Sequence, residues 1–261
     1  MHKKIIQKHF SQKAKTYDKY AILPQNLAKY LIEYISVNIN LLNPSNGLIL
    51  DIGTGTGDLL LQLANIFTQA SIIGCDIAPG MIKEAQKKIK TQKKIKLICA
   101  DAENIPLLDN SCNLLISNAT YQWIFNLLLA FQEAHRILLP GGKFVFTIFG
   151  SQTLHELVEA GSHKVKHIKF KNKEELQIVL EQANFVIDEF KIISFTLYYP
   201  DVFSLLQSMK NMGAGNIFWE KGLGGRTFLK NLDDNYSKFF KTEKGLPATF
   251  EAYLISASKL N

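Results

Sequence analysis

Apolar residues fall along this chain in short runs separated by glycine, proline and charge, and two periods account for most of them. After Pro24, Leu27, Leu31 and Ile35 recur at four-residue intervals, the stripe of an amphipathic helix laid against a core. From Leu48 the pattern changes to compact runs of strand length: Leu48 to Ile52, Ser71 to Asp76, Ile95 to Asp101, Asn113 to Ser117 and Lys143 to Phe149. Helices are predicted between them, from Gly57, from Pro79 and over Leu127 to Leu139, with Pro140-Gly141-Gly142 expected to break the last before the next strand. Such alternation predicts an α/β fold with a doubly wound parallel sheet.

Beyond Phe149 the rhythm is different. Residues 151–184 read as helices, Phe185 to Tyr198 as a long strand and Leu246 to Ser258 as the closing strand. The connection between those strands, 199–245, is too long for a hairpin loop, and its apolar content, Phe203, Trp219, Phe228 and Phe240 included, argues for order. It is expected to form a helical lid over a substrate site, with breaks at Met212 to Asn216 and Gly222 to Gly225. The expected organisation is a single domain: a helical segment over 1–46, a core over 47–150 and the lid insertion over 199–245.

Composition narrows the classes. The 261 residues suit one α/β domain with an insertion. Thirty Lys and Arg stand against 23 Asp and Glu, a formal charge of +7, yet only Arg136 and Arg226 are arginines. Base readers favour arginine for its bidentate geometry, so a nucleic-acid partner is not expected, while a basic surface suits an acidic macromolecule. No apolar run approaches a membrane span, and the basic start of the chain leads into Gln7, Lys8 and His9 rather than an apolar stretch, so a cytoplasmic protein without a membrane partner is expected. Cys75, Cys99 and Cys112 lack metal spacing, and His163 and His167 have no Glu between them, so no metal is expected. A monomer is expected.

The chemistry lies where strands end. Asp51, Asp76 and Asp101 recur every 25 residues at or near the ends of the first three strands, and Asp51-Ile-Gly-Thr-Gly-Thr-Gly57 forms a glycine-rich turn opening a helix. A single such Asp is an ordinary turn or cap residue; three gathered at one sheet edge, where open α/β folds bind ligands, form a site. The glycine spacing departs from the dinucleotide fingerprint, because Asp58 stands in its sixth position, and Asp51 and Asp58 repel a pyrophosphate. A cationic ligand fits better.

This pattern resembles class I S-adenosylmethionine-dependent methyltransferases. The resemblance implies a Rossmann-like sheet whose last two strands form an antiparallel hairpin, and S-adenosylmethionine as cofactor. It implies cofactor contacts from Asp51, Gly53, Gly55, Gly57, Asp76, Ile77, Asp101, Ala102 and Asn118. Asp51 would face the amino acid end, Asp76 the ribose hydroxyls, and Asp101 with Ala102 the adenine edge.

A closer resemblance follows from Phe10, Ala14 and Tyr17-Asp18, from Ser117-Asn118 with Gln122-Trp123, from Thr153 to Leu157, from Met209-Lys210 with Met212 to Ala214 and Asn216, and from Leu246-Pro247-Ala-Thr249. In order and spacing these strings look like the malonyl-acyl-carrier-protein O-methyltransferases of biotin synthesis. The resemblance implies methylation of the free carboxylate of a malonyl thioester, on acyl carrier protein or malonyl-CoA. No acid-base pair stands out, and an ionised carboxylate needs none. Tyr17, Gln122 and Arg226 are candidates for positioning the acceptor, beside the plainer roles of a packed aromatic for Tyr17 and a surface ion pair or helix N-terminal residue for Arg226. A related branch reported as a complex I assembly protein-arginine hydroxylase, another small-molecule methyltransferase and a catalytically silent cofactor-binding scaffold remain alternatives.

Overall fold

The computed structural model describes residues 3–38, 46–161, 170–211 and 225–260. It begins with α1 (Lys3–Lys13), a 3-10 turn (Ala14–Thr16), α2 (Tyr17–Tyr20) and α3 (Ile22–Val37). Then come β1 (Leu48–Ile52), α4 (Asp58–Ile66), β2 (Ser71–Asp76), α5 (Pro79–Lys88), β3 (Ile95–Cys99) and β4 (Cys112–Asn118). A second 3-10 turn (Tyr121–Trp123) leads to α6 (Leu127–Ile137) and β5 (Leu138–Phe149). The remainder is α7 (His155–Ala160), α8 (Lys173–Gln182), β6 (Phe185–Tyr199), α9 (Val202–Asn211), α10 (Arg226–Phe240) and β7 (Leu246–Lys259).

The strands form one seven-stranded sheet in the order β3-β2-β1-β4-β5-β7-β6, mostly parallel, with one antiparallel hairpin. Winding reverses between β1 and β4, so the carboxyl ends of these strands border the crevice that such sheets offer a ligand. Register places Asp51 opposite Gly74 and Asp76 opposite Cys99.

Alternation along the strands decides what each face buries. Leu50, Leu115, Phe144 and Phe146 join a cluster with Phe131 of α6 and Leu176 of α8. Ile49, Leu114, Ile116 and Val145 join another with Leu31 and Ile35 of α3 and Leu60 and Leu63 of α4. The stripe read from the sequence is therefore the buried edge of α3, and Leu27, Leu31 and Ile35 are wholly buried. Burial of such side chains is worth about 1.5–3 kcal/mol each.

Some boundaries differ from expectation: β3 ends at Cys99, two residues short of Asp101, and the largest change is at β5. The helix predicted to reach Leu139 ends at Ile137, and strand pairing begins at Leu138, opposite Cys112, instead of at Lys143. Leu138 and Cys112 are both fully buried, which draws Leu138 into the sheet. The strand then bulges through Pro140-Gly141-Gly142, with Gly141 at φ +75°, before Lys143 pairs with Leu114.

Two compact units divide the chain. The first comprises Met1–Ile148, Lys173–Lys191 and Tyr253–Asn261; the second comprises Phe149–Asn172 and Ile192–Ala252. Within the second, the segment expected to be helical contains α9 and α10; Gly225, the last glycine of the expected breaks, directly precedes α10, and the other glycines, between 212 and 224, lie outside the described residues. The turn before α7 is fastened to β7. Leu154 N donates to Thr249 O at 2.6 Å, and Thr153 Oγ1 donates to Glu251 O at 2.7 Å. The Glu156 carboxylate accepts from Thr249 N at 3.1 Å and from the Thr249 hydroxyl. Thus the strings Thr153 to Leu157 and Leu246 to Thr249, far apart in sequence, form one latch.

Candidate functional site

The first unit holds the aspartate cluster. Asp51, in β1, is 1% exposed, and neither carboxylate oxygen has a hydrogen-bond partner; the Thr54 hydroxyl is buried and unpartnered as well. Burial pushes the Asp51 carboxyl up to about 7; the Thr54 hydroxyl, close enough to favour the carboxylate though outside hydrogen-bond geometry, opposes the rise, and Asp76 adds to it. Orphaned buried oxygens are costly and rare, and here they face a glycine loop, the arrangement expected of a receptor for a cationic donor.

Asp76, at the end of β2, is held in place by the backbone. Its carboxylate accepts from Ala78 N at 2.8 Å and Gly55 N at 2.9 Å. Burial still pushes it up to about 6 against those two bonds. The loop itself is pinned by Gly53 N and Thr54 N, which donate to Cys75 O at 2.7 and 2.9 Å. Gly53 sits at φ +76°, and a Cβ there would lie 2.0 Å from Thr120 Oγ1, so both conformation and space demand glycine.

Two cavities adjoin the loop. The first, about 100 Å³, is bordered by Asp76, Ile77, Asp101 and Ala102 and by Phe10 and Trp123. The second, about 520 Å³, is bordered by Asp51, Thr54, Gln25, Lys29 and Gln62. Tyr17, Gly53, Gly55 and Asn118 border both. Burial raises the Tyr17 phenol well above its usual value, assisted by Asp76, Asp18 and Asp58, so the group stays protonated and available as a donor.

Not every residue expected here reaches a cavity. Gly57 borders neither; at φ +88° it precedes α4, and a Cβ there would sit 3.1 Å from Ala85 Cβ, so its bare backbone lets α4 pack closely on α5. Gln122 lines neither cavity: Nε2 donates to Ala119 O at 2.6 Å, while Oε1 is buried without a partner. Neighbouring Trp123 is the one that borders the first cavity. Asn118 borders both, but its amide is engaged, donating to Pro24 O at 2.9 Å and accepting from Thr147 Oγ1 at 2.7 Å. Asp101 accepts from Lys3 Nζ at 2.7 Å and Glu103 N at 3.0 Å. Arg226 opens α10, and its side chain lies outside the described residues, as do His163 and His167. Among the described residues, no cluster of three His, Cys, Asp or Glu is placed to hold a metal, and no helix is long and apolar enough to cross a membrane.

Two features of the site escaped the sequence. The first is α1, which covers the first cavity: Lys3 pairs with Asp101 and Glu103, both at 2.7 Å, and Gln7 Nε2 donates to Ile77 O at 2.9 Å. Phe10 meets Trp123 edge to face at 5.6 Å and Tyr17 at 6.3 Å. Positions 3, 6, 7 and 10 form a helical stripe, so the period was there to be read. The second is a clamp on the glycine loop. Thr56 Oγ1 donates to Asp18 Oδ1 at 2.5 Å, and Lys88 pairs with Asp18 and Asp58, each at 2.6 Å. No sequence signal joins residues 18, 56 and 88.

Comparison with known proteins gives a consistent picture. Residues 50–146 match a family described as a methyltransferase domain. The chain is 32% identical to the malonyl-[acyl-carrier protein] O-methyltransferase of Priestia megaterium, over 100% of this chain and 99% of that one. It is also 32% identical to the protein of the same name from Geobacter sulfurreducens, covering 94% of each. Among solved structures, a putative methyltransferase from Bacillus halodurans shares the fold with a TM-score of 0.65 at 18% identity, covering 91% of this chain and all of that one.

Proposed function

Since the chain belongs to the malonyl-[acyl-carrier protein] O-methyltransferase family, we propose that it methylates the free carboxylate of a malonyl thioester on acyl carrier protein, with S-adenosylmethionine as donor, an early step of biotin synthesis. The observation that carries the cofactor side is Asp51: a buried carboxylate with no partner, next to an unpartnered Thr54 hydroxyl, at the foot of a glycine loop. A cationic amino group satisfies both at once.

In this reading the cofactor's amino acid end lies toward Asp51 and the second cavity, and its nucleoside toward Asp76, Ile77, Asp101 and Ala102 in the first. Asp76, already oriented by two backbone donors, keeps lone pairs for ribose hydroxyls. Tyr17 stands between the two halves and donates from a phenol that does not ionise. When bound, the cofactor supplies an electrophilic methyl group on a positively charged sulfur. A malonyl carboxylate is ionised at neutral pH, so the protein's task is alignment and exclusion of water, and no general base is required. Arg226 is the candidate partner for that carboxylate, and the 199–245 segment the candidate cover for the acceptor.

Transfer of a labelled methyl group to malonyl-acyl carrier protein tests the proposal directly. The expected product is the methyl ester, formed faster on the carrier protein than on malonyl-CoA. An unlabelled carrier together with hydroxylation of a protein arginine would sink the proposal and favour the assembly-factor branch.

A further inference from the structure

The lysines of this chain are weighted toward two segments. Residues 3–37 and 79–96 carry fourteen lysines against three carboxylates, whereas the rest carries sixteen basic residues against twenty acidic ones. The formal +7 therefore arises wholly from the α1–α3 segment and from α5 with the turn into β3. These segments meet: Gly80 N, at the start of α5, donates to Ser11 Oγ of α1 at 3.3 Å.

On α1 Lys3, Ile6 and Phe10 border the first cavity and Gln7 bonds Ile77 O, while Lys4, Ile5, Lys8 and Lys15, the last just beyond the helix, are exposed. On α5, Lys83 and Lys87 are exposed, followed by Lys90. The three local carboxylates do little to offset this. Asp18 is taken by Lys88 and Glu84 by Lys87, and Glu33 lies on α3. Among the described residues no carboxylate pairs with Lys4, Lys8, Lys15, Lys83 or Lys90. Lysines crowded without counter-charge repel one another, a cost that a solvated surface avoids by interspersing signs.

We infer that the exposed face shared by α1 and α5 is the docking surface for an acidic protein, and that its occupant is the acyl carrier protein bearing the acceptor. The inference rests on the function proposed above. Position supports it as well as charge. The helix that offers these lysines also roofs the first cavity, and Phe125, 79% exposed, borders that same cavity, so a partner held here presents its thioester arm beside an apolar rim. Ile5, 40% exposed among the lysines, gives the surface an apolar contact of its own. Charge complementarity of this kind acts chiefly on encounter and orientation, so it should appear in KM and in salt dependence rather than in the chemical step.

The test uses two acceptors, malonyl-acyl carrier protein and malonyl-pantetheine, which has the same reactive group and no protein. In the full chain, Lys4→Glu, Lys8→Glu and Lys83→Glu combined should lower kcat/KM for the carrier about tenfold or more at low salt, mainly through KM. Malonyl-pantetheine turnover and cofactor affinity should stay within about twofold. The same three positions changed to Gln should give an intermediate loss, and Lys191→Glu, on β6, should give none. Unchanged carrier kinetics in the reversed variant would overturn the docking surface, and so would an equal loss on both acceptors, which would mean damage to the fold or cofactor site. If the wild type methylates neither acceptor, it is the proposed function that fails, and the docking surface falls with it.

Discussion

Asp51 and Glu156 are both carboxylates taken almost entirely out of water, 1% and 3% exposed, one in each unit of the chain. Their surroundings are opposite. Glu156 accepts from the Thr249 backbone and hydroxyl, and His155 Nδ1 lies 3.6 Å away. Asp51 accepts from nothing, and its carboxyl is driven up to about 7. A buried carboxylate supplied with donors is part of the frame; one left without them, beside an equally unpartnered hydroxyl and on the border of the second cavity, has room for a ligand to supply them.

Replacement should separate the two roles most sharply. Asp51→Asn should weaken S-adenosylmethionine binding by about ten- to a hundredfold, since a hydrogen bond to a charged group is worth about 1.5–3 kcal/mol. The empty protein should melt no lower than wild type, because an unpaired buried charge has been removed. Calorimetric titration and a melting curve check both halves, and unchanged affinity would take Asp51 out of the contact. Glu156→Ala should do the reverse. It strands the Thr249 donors at a cost of about 1–3 kcal/mol, lowering Tm by several degrees while cofactor affinity holds.

A pH series sharpens the comparison with a smaller effect. Asp51 and Asp76 have carboxyls raised above the ordinary 3.8, so in the empty protein their stabilising contribution is complete below about pH 4 and is lost as pH climbs through about 6 and then about 7. A bound ammonium favours the ionised forms. The rise in Tm produced by saturating S-adenosylhomocysteine should therefore grow between pH 5 and pH 8, and a flat response would argue that the cation lies elsewhere. The smallest effect belongs to the clamp. Lys88→Met leaves Asp18 and Asp58 without their ammonium, and such partly exposed pairs are worth about 0.2–1 kcal/mol, so cofactor affinity should fall only a few-fold. Lys88→Arg should restore most of it. A loss that arginine does not repair would point to crowding rather than charge.

Where local chemistry decided the outcome, the sequence was legible. β1 and β2 lie where their apolar runs predict, because each run ends at an Asp or a glycine turn that cannot continue the strand. The seven-stranded sheet with its terminal hairpin follows from the same alternation and from the family resemblance. Where long-range packing decided it, the sequence was silent. Burial of Leu138 beside Cys112 overrode a Pro-Gly-Gly stop, and Gln122 turned its amide to the carbonyl of Ala119 three residues away instead of to a cavity. The glycine string was read as one cofactor loop, and at Gly57 the missing side chain also makes room for two helices to pack, a use that spacing alone does not reveal. The clamp of Asp18, Thr56 and Lys88 exists only once the chain has folded.

The Lys3 ammonium bears on the timing of turnover. About 100 Å³ lies beneath α1, whereas ligand sites commonly span roughly 300–1,000 Å³, and Lys3 holds Asp101 and Glu103 at the rim. In the proposed binding mode a nucleoside would compete with Lys3 for Asp101, so that ammonium would have to return to water, and residence time would then carry a barrier outside the methyl transfer itself. Because Lys3 is a partly exposed cation, added salt would screen its hold on Asp101, and exchange of the nucleoside should quicken as ionic strength rises.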